Sequence, residues 1–310
     1  MSSVARRALI SLGTNTVRLL VVRGSGEAVE SIAHMAEGTR LGEGVRENGR
    51  LAPQAVARTL SVVARFAEIA RRHEASLAAI ATSALRRADD APAFAAQFEA
   101  ASGVPLTIID GLAEAAASFA GATYGAPAEG RVAVLDVGGG STECAVGAAG
   151  RLEAAVSCEI GSVRVTELFP ALAGGVQGAA ARTGAAQARA YVREALQPLG
   201  TLPPASLVRA VAGTPATLAA LATASDVERV RGYRLTRDTV EAWLLRLLDA
   251  PLAERKALPG MIPQRADILP GGALIVSEAL ALLGCEEAVV ETNDLLLGYL
   301  LRSPGDGATV

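Results

Sequence analysis

VLDVGGGSTE, residues 134–143, is an apolar run that ends in an aspartate, breaks into a glycine-rich polar turn and resumes as a second run. That pattern predicts two strands joined by a tight turn. ALISLGTNTVRLLVV, residues 8–22, has the same layout. With the two overlaid, Ser11 falls on Asp136, Gly13 on Gly138 and Thr16 on Ser141, 125 residues apart in each case. A repeated unit of this kind predicts two related domains. The copies differ at one telling place: the second has an acid before its turn, and the first has Ser11.

In the first copy, strands are predicted at 7–12, 17–22 and 28–35, followed by a helix at 53–72. Ala, Val, Leu and Ile recur there at helical spacing, with Pro53 at the start. A strand at 77–82, a helix at 90–101, a strand at 104–109 and a helix at 112–123 complete the copy. This βββαβαβα order predicts a three-strand meander, then parallel strands reached through helices, as in a ribonuclease-H-like unit. GATYGAPAEGR, 121–131, marks a boundary, so domains are expected at 1–124 and 125–310. The second copy predicts strands at 131–136, 142–147 and 151–160, then a long helical region to about 197. A strand at 207–212, a helix from 215, further helices, a strand at 287–290 and a last helix at 293–302 follow, and the tail SPGDGATV is expected to fray. The expected fold class is α/β: two ribonuclease-H-like domains with a ligand-binding cleft between them.

Composition narrows the function classes. At 310 residues with 51% hydrophobic content the chain supports packed globular structure and argues against disorder. No apolar run approaches the ~20 residues of a membrane span, and the N-terminal apolar stretch is too short for a secretory signal. Cys144, Cys158 and Cys285 form no CxxC pair, which fits a reducing cytoplasm. A net charge of −3 gives no signal for nucleic acid. Lys256 is the only lysine, so the positive charge is arginine, whose planar fork suits phosphate oxygens. His34 and His73 have no metal-ligand neighbour at useful spacing, which argues against a histidine-rich zinc site or a histidine-based phosphatase.

The two turns carry the chemistry. Gly13, Thr14, Asn15 and Thr16 offer hydroxyl, amide and backbone donors, and Gly138, Gly139 and Gly140 offer successive backbone N–H groups beside Ser141 and Thr142. Runs of N–H groups form anion nests, although Gly and Asn also suit ordinary hairpin turns. Asp136 and Glu143 bracket the second turn, a pairing suited to a hard divalent ion such as Mg2+ shared with phosphate oxygens; Glu143 also fits a plain outward-facing strand position. Glu114 lies in the first turn of a predicted helix, where it either complements the helix dipole or activates water for attack on phosphorus. Arg86 follows a strand end, a good place from which to grip phosphate. Gly213 and Thr214 follow the 207–212 strand and open a helix, an anion site by geometry, and RADILPGGALIV, 265–276, adds a glycine pair. No GxxxxGK loop is present. Cys158 and Arg164 have the C-x5-R spacing of cysteine-dependent phosphatases, but with a single glycine between them and no histidine before the cysteine.

Together these residues resemble the Ppx/GppA family of exopolyphosphatases and guanosine pentaphosphate phosphohydrolases, within the actin, sugar-kinase and heat-shock ATPase superfamily. The matching pieces are SLGTNTVRLLV, TRLGEGV, ATSALRRA, DGLAEA, VLDVGGGSTE, EIGSVRVTELF, AGTPATLAAL, RADILPGGALI and TNDLLLGYLL. The resemblance, to the short two-domain members, implies hydrolysis of terminal phosphoanhydride bonds of polyphosphate or of guanosine penta- and tetraphosphates, and a homodimer. It implies that Glu114 activates water, that Asp136 and Glu143 hold the divalent metal, and that Arg86 and the two turns grip phosphate. The chain departs from the family at three places: Ser11 stands where the family's first loop begins with aspartate, Ala113 replaces the first glutamate of a GxEEA pattern, and the closing motif has lost its arginine. Two expectations follow: an active magnesium-dependent exopolyphosphatase with weakened metal dependence or slow turnover, and a polyphosphate- or nucleotide-binding protein that has lost hydrolysis and senses or regulates.

Overall fold

The computed structural model describes residues 5–25, 28–126 and 130–301. The chain forms two compact units, Met1–Gly125 with Leu295–Val310, and Ala126–Asp294.

The first unit begins with β1 (Arg6–Leu12), β2 (Thr16–Ser25) and β3 (Ala28–Gly38), an antiparallel meander. A short α1 (Val45–Asn48) leads to α2 (Pro53–Arg72), then β4 (Ser76–Ala81), α3 (Ser83–Arg86), α4 (Ala91–Ser102), β5 (Thr107–Ile108) and α5 (Gly111–Thr123). The sheet order is β3-β2-β1-β4-β5, with β1, β4 and β5 parallel. The continuous apolar run of β1 reflects burial on both faces of the sheet. Ala8, Ile10 and Leu12 join Phe66, Phe94 and Phe98 in one core, and Leu9 joins Ile80, Leu296 and Leu300 in another. The strand expected at 104–109 is pared to two residues: Pro105 has no N–H to donate to a ladder.

The second unit repeats the plan with β6 (Arg131–Val137), β7 (Thr142–Ala148) and β8 (Arg151–Cys158). The expected long helical region is broken into α6 (Ser162–Leu168) and α7 (Gly178–Ala195), with a tight helical turn at Pro170–Ala173 that ends at Gly174, φ 92°. Then come β9 (Leu207–Val211), α8 (Gly213–Thr223), β10 (Arg234–Thr236), α9 (Arg237–Asp249), α10 (Leu252–Lys256), α11 (Leu269–Leu282) and β11 (Glu287–Val290). The sheet order is β10-β11-β9-β6-β7-β8. Read from β8 inward, it matches the first sheet strand for strand, with β10 added antiparallel at the edge. Three-residue β10 is too short to show a period in the sequence.

The second domain does not run to 310 as expected. From Leu295 the chain returns to the first unit as α12 (Leu295–Leu301), which packs on α5 and β1. Gly298 sets that approach: a Cβ there would lie 1.8 Å from the Ala117 carbonyl oxygen and 2.7 Å from the Gly121 nitrogen. Arg7 of β1 donates to the Leu300 and Gly24 carbonyls. The SPGDGATV tail lies outside the described residues. No helix among the described residues is long and apolar enough to cross a membrane.

Candidate functional site

In the first unit the site gathers at the carboxyl ends of β1 and β4. The turn after β1 closes with the Gly13 N–H donating to the Thr16 carbonyl at 3.0 Å. Its carbonyls are taken by the segment that follows β3: Gly42 N–H donates to Thr14 O at 2.9 Å, and Thr39 and Arg40 N–H both donate to Asn15 O at 3.0 Å. Gly42 packs so closely on Thr14 that a Cβ would lie 2.4 Å from its methyl carbon. Thr14 and Asn15 are buried, and Thr14 Oγ1 and Asn15 Oδ1 meet no partner among the described residues. Such orphaned polar groups are costly unless a ligand or water completes them. Ser11 is buried one residue before the end of β1 and stands opposite Arg18 of β2.

Arg86 and Glu114 meet in this unit. Thr82 ties the end of β4 to β1 through its N–H on the Leu12 carbonyl, 3.1 Å. Four residues on, Arg86 Nη1 donates to Glu114 Oε2 at 2.7 Å and to the Ile109 carbonyl at 3.1 Å. Glu114 is only 8% exposed. Asp110 caps α5 by accepting from the Ala113 N–H at 2.7 Å, so the helix start is held without Glu114. A buried carboxylate fixed by a charge-assisted bond differs from the solvated first-turn acid that the helix dipole alone would explain.

In the second unit Asp136 of β6 and Glu143 of β7 are direct cross-strand partners, and both are buried. Opposed residues of an antiparallel pair share one face. Ser157 of β8 donates to Glu143 Oε1 at 2.8 Å. The turn between them closes with Gly138 N–H to Ser141 O at 3.1 Å, the counterpart of the first turn. The start of α6 takes its carbonyls: Ser162 N–H reaches Gly138 O at 3.0 Å, and Val163 N–H reaches Gly139 O at 2.9 Å. The Gly139 and Gly140 amides meet no protein acceptor among the described residues. Gly161 lies against this loop, where a Cβ would stand 2.4 Å from the Gly139 carbonyl carbon. A loop whose carbonyls are held and whose amides are not is an anion nest.

Thr142 departs from the expectation. It is fully buried and its hydroxyl donates to the Ile160 carbonyl at 2.6 Å, so it braces the loop instead of offering a donor to phosphate. Gly213 and Thr214 open α8 beside this edge, since β9 pairs with β6 and places Val211 against Asp136. Arg265 covers Gly213, with its guanidinium carbon 2.1 Å from where a Cβ would be. Ala212, just before, holds φ 73° and ψ −174°, a strained conformation for a residue with a side chain.

The C-x5-R alternative fails on its thiol. Burial, reinforced by the nearby Glu143 carboxylate, pushes Cys158 up to about 11, so it is a neutral thiol at pH 7 and a poor nucleophile. The residues after it, Ile160–Ser162, pack on the glycine loop.

Among the described residues no group of three or more His, Cys, Asp or Glu is arranged to hold a metal. Asp136 and Glu143 still fit a magnesium-like ion: two hard oxygen donors side by side, with waters and substrate phosphate as the remaining ligands. Arg18 and Ser162 were not singled out from the sequence. Carrying the overlay a few residues further would have set Arg18 on Glu143; Ser162 has no such signal.

Comparisons with known proteins point one way. The model of the Ppx/GppA phosphatase family matches residues 20–295. Exopolyphosphatase 2 of Mycobacterium tuberculosis is 34% identical over 333 aligned positions, spanning 98% of this chain and all of that protein. The crystal structure of an exopolyphosphatase-like protein superposes with a TM-score of 0.89 at 29% identity, over 97% of this chain and 98% of that one. The Aquifex aeolicus Ppx/GppA family member superposes at 0.78 and 26% identity, over 96% and 97% of the two chains.

Proposed function

This chain belongs to the Ppx/GppA phosphatase family, and from that premise we propose that it releases terminal orthophosphate from inorganic polyphosphate by attack of water, with guanosine pentaphosphate as a second substrate of the same chemistry. The chain is a phosphoanhydride hydrolase with the family's two-domain actin-like fold. One observation carries the catalytic reading: the buried Glu114 carboxylate held by Arg86 at 2.7 Å.

In the reaction, Glu114 accepts a proton as the water oxygen bonds to the terminal phosphorus. The bridging P–O bond breaks, its electrons go to the shortened chain, and Glu114 gives up the proton to solvent. Arg86 keeps the carboxylate oriented. Within the first unit the Thr14 hydroxyl donates to phosphate oxygens as charge develops, and in the second the Gly139 and Gly140 amides form an anion nest of their own. Asp136 and Glu143 would hold Mg2+, which when bound neutralises phosphate charge. A binder that has lost hydrolysis would not need this buried acid–arginine pair, so the hydrolase is the favoured reading. A cytoplasmic setting is supported by three free thiols, at Cys144, Cys158 and Cys285. The proposal includes a homodimer, which light scattering on the purified protein tests.

The decisive experiment is phosphate release from long-chain polyphosphate with Mg2+. Glu114→Gln keeps size and a hydrogen bond to Arg86 but loses the base, and is expected to lower kcat by about a hundredfold or more. Equal rates for the variant and the unmodified chain would remove Glu114 from the mechanism.

A further inference from the structure

We propose that Ser11 makes the Gly13–Thr16 loop a subsite that takes phosphate bare, without a divalent ion, so that the ion is held by the second unit's Asp136 and Glu143 alone. The proposal rests on the polyphosphate reading above and deepens it by assigning different phosphate-binding chemistry to the two loops.

The two loops are copies on one scaffold. Ser11 opposes Arg18 across β1 and β2, and Asp136 opposes Glu143 across β6 and β7. Each first residue also pairs on its other side with a parallel strand, Ser11 with Ile80 and Asp136 with Val211. Both turns close with the same backbone bond, at 3.0 Å and 3.1 Å. The register therefore compares like with like, and the chemistry is opposite. The second unit puts two carboxylates on one face, which hold a cation and repel an uncovered phosphate. The first unit puts a neutral hydroxyl opposite a guanidinium at the same place.

The first loop has no acid between Ser11 and Arg18. The Thr14 hydroxyl, which is buried and meets no partner among the described residues, suits an anion directly, and Arg18 opposite Ser11 on β2 brings positive charge to the same edge. An aspartate at 11 would set a carboxylate against that guanidinium and against any phosphate in the loop, unless a cation intervened. Serine removes the need for one. The ligand is a phosphoryl group of a polyphosphate chain, recognised by charge and hydrogen bonding and not by a base.

Calorimetric titration of sodium tripolyphosphate into the full chain, at fixed ionic strength, in EDTA and again in Mg2+, tests this without reading activity. Ser11→Asp is expected to weaken binding about tenfold or more in EDTA, yet only about twofold in Mg2+. Ser11→Asn, nearly the same size but uncharged, should track the unmodified chain in both buffers, and Arg18→Gln should weaken binding in both. The inference is overturned if Ser11→Asp costs nothing in EDTA, if it costs the same in both buffers, or if Ser11→Asn matches it. Tripolyphosphate that binds the unmodified chain in neither buffer overturns the substrate reading itself, a result distinct from the other three.

Discussion

Glu114 lies in the first turn of a helix, where an acid ordinarily needs no explanation beyond the dipole. Burial and the Arg86 bond change that reading, and they make the pair testable from the other side. Arg86→Lys keeps the charge but is shorter and loses the rigid planar fork that sets Nη1 between Glu114 and the Ile109 carbonyl. It should lower kcat roughly ten- to a hundredfold with a smaller change in KM, as loss of an orienting partner does. The thiols make a second prediction. Burial pushes Cys144 up to about 12 and Cys158 up to about 11, while Cys285 is only partly buried. Burial and the neighbouring Glu286 carboxylate raise Cys285 too, so native protein at pH 8 should show one accessible but slow-reacting thiol, lost in Cys285→Ser, with the other two reacting only on unfolding. At this scale the side-by-side placement of Asp136 and Glu143 and the two closed glycine turns were legible because the pattern is local and repeated. The Arg86–Glu114 bond was not, because it joins side chains of different elements that no periodicity connects. Thr142 was misread for a related reason: composition cannot say whether a turn hydroxyl faces a ligand or a neighbouring carbonyl.

Helix α11 shows how the second unit is held around its site. Glu278 is 1% exposed at the side chain and accepts from Arg189 at 2.6 Å and Arg193 at 2.7 Å, both on α7, while Arg189 also grips Glu241 of α9. Burial alone would raise the Glu278 carboxyl, but the hydrogen bonds from the two arginines outweigh it and hold the group below its usual value. A depressed folded pKa contributes stability that is fully present above the unfolded value, about 4.3, and is lost as pH falls through the folded one. Glu278→Gln should lower neutral-pH stability by about 2 kcal/mol in urea melts, with the gap closing in acid. A gap that stays constant with pH would show the charge to be irrelevant. In the first unit, Gly298→Ala should destabilise by about 1–3 kcal/mol, because the added carbon would strike the α5 backbone. Element existence was readable where periodicity was strong, as in α2, whose bounds match the expectation. It was unreadable for β10, and for the partner of α12, since a run of leucines does not say which core it will join.

At the level of the whole molecule, the second unit is inserted between α5 and α12 of the first. Residues 126–294 form one continuous piece, whereas 1–125 without α12 would expose Leu9, Ile80 and the other residues that α12 covers. The 126–294 fragment should fold when expressed alone and give a cooperative melt; 1–125 should stay aggregated unless 295–310 is rejoined by a short linker. The same insertion fixes how the molecule answers to mechanical load. Both ends of the described chain belong to the first unit, and Arg7 near one end is bonded to the Leu300 carbonyl near the other. In an optical trap pulling on the termini, tension would reach the inserted unit only after α12 had been stripped from α5, so that helix acts as a mechanical fuse: the first rip should be short, and the inserted residues should lengthen the tether only afterwards.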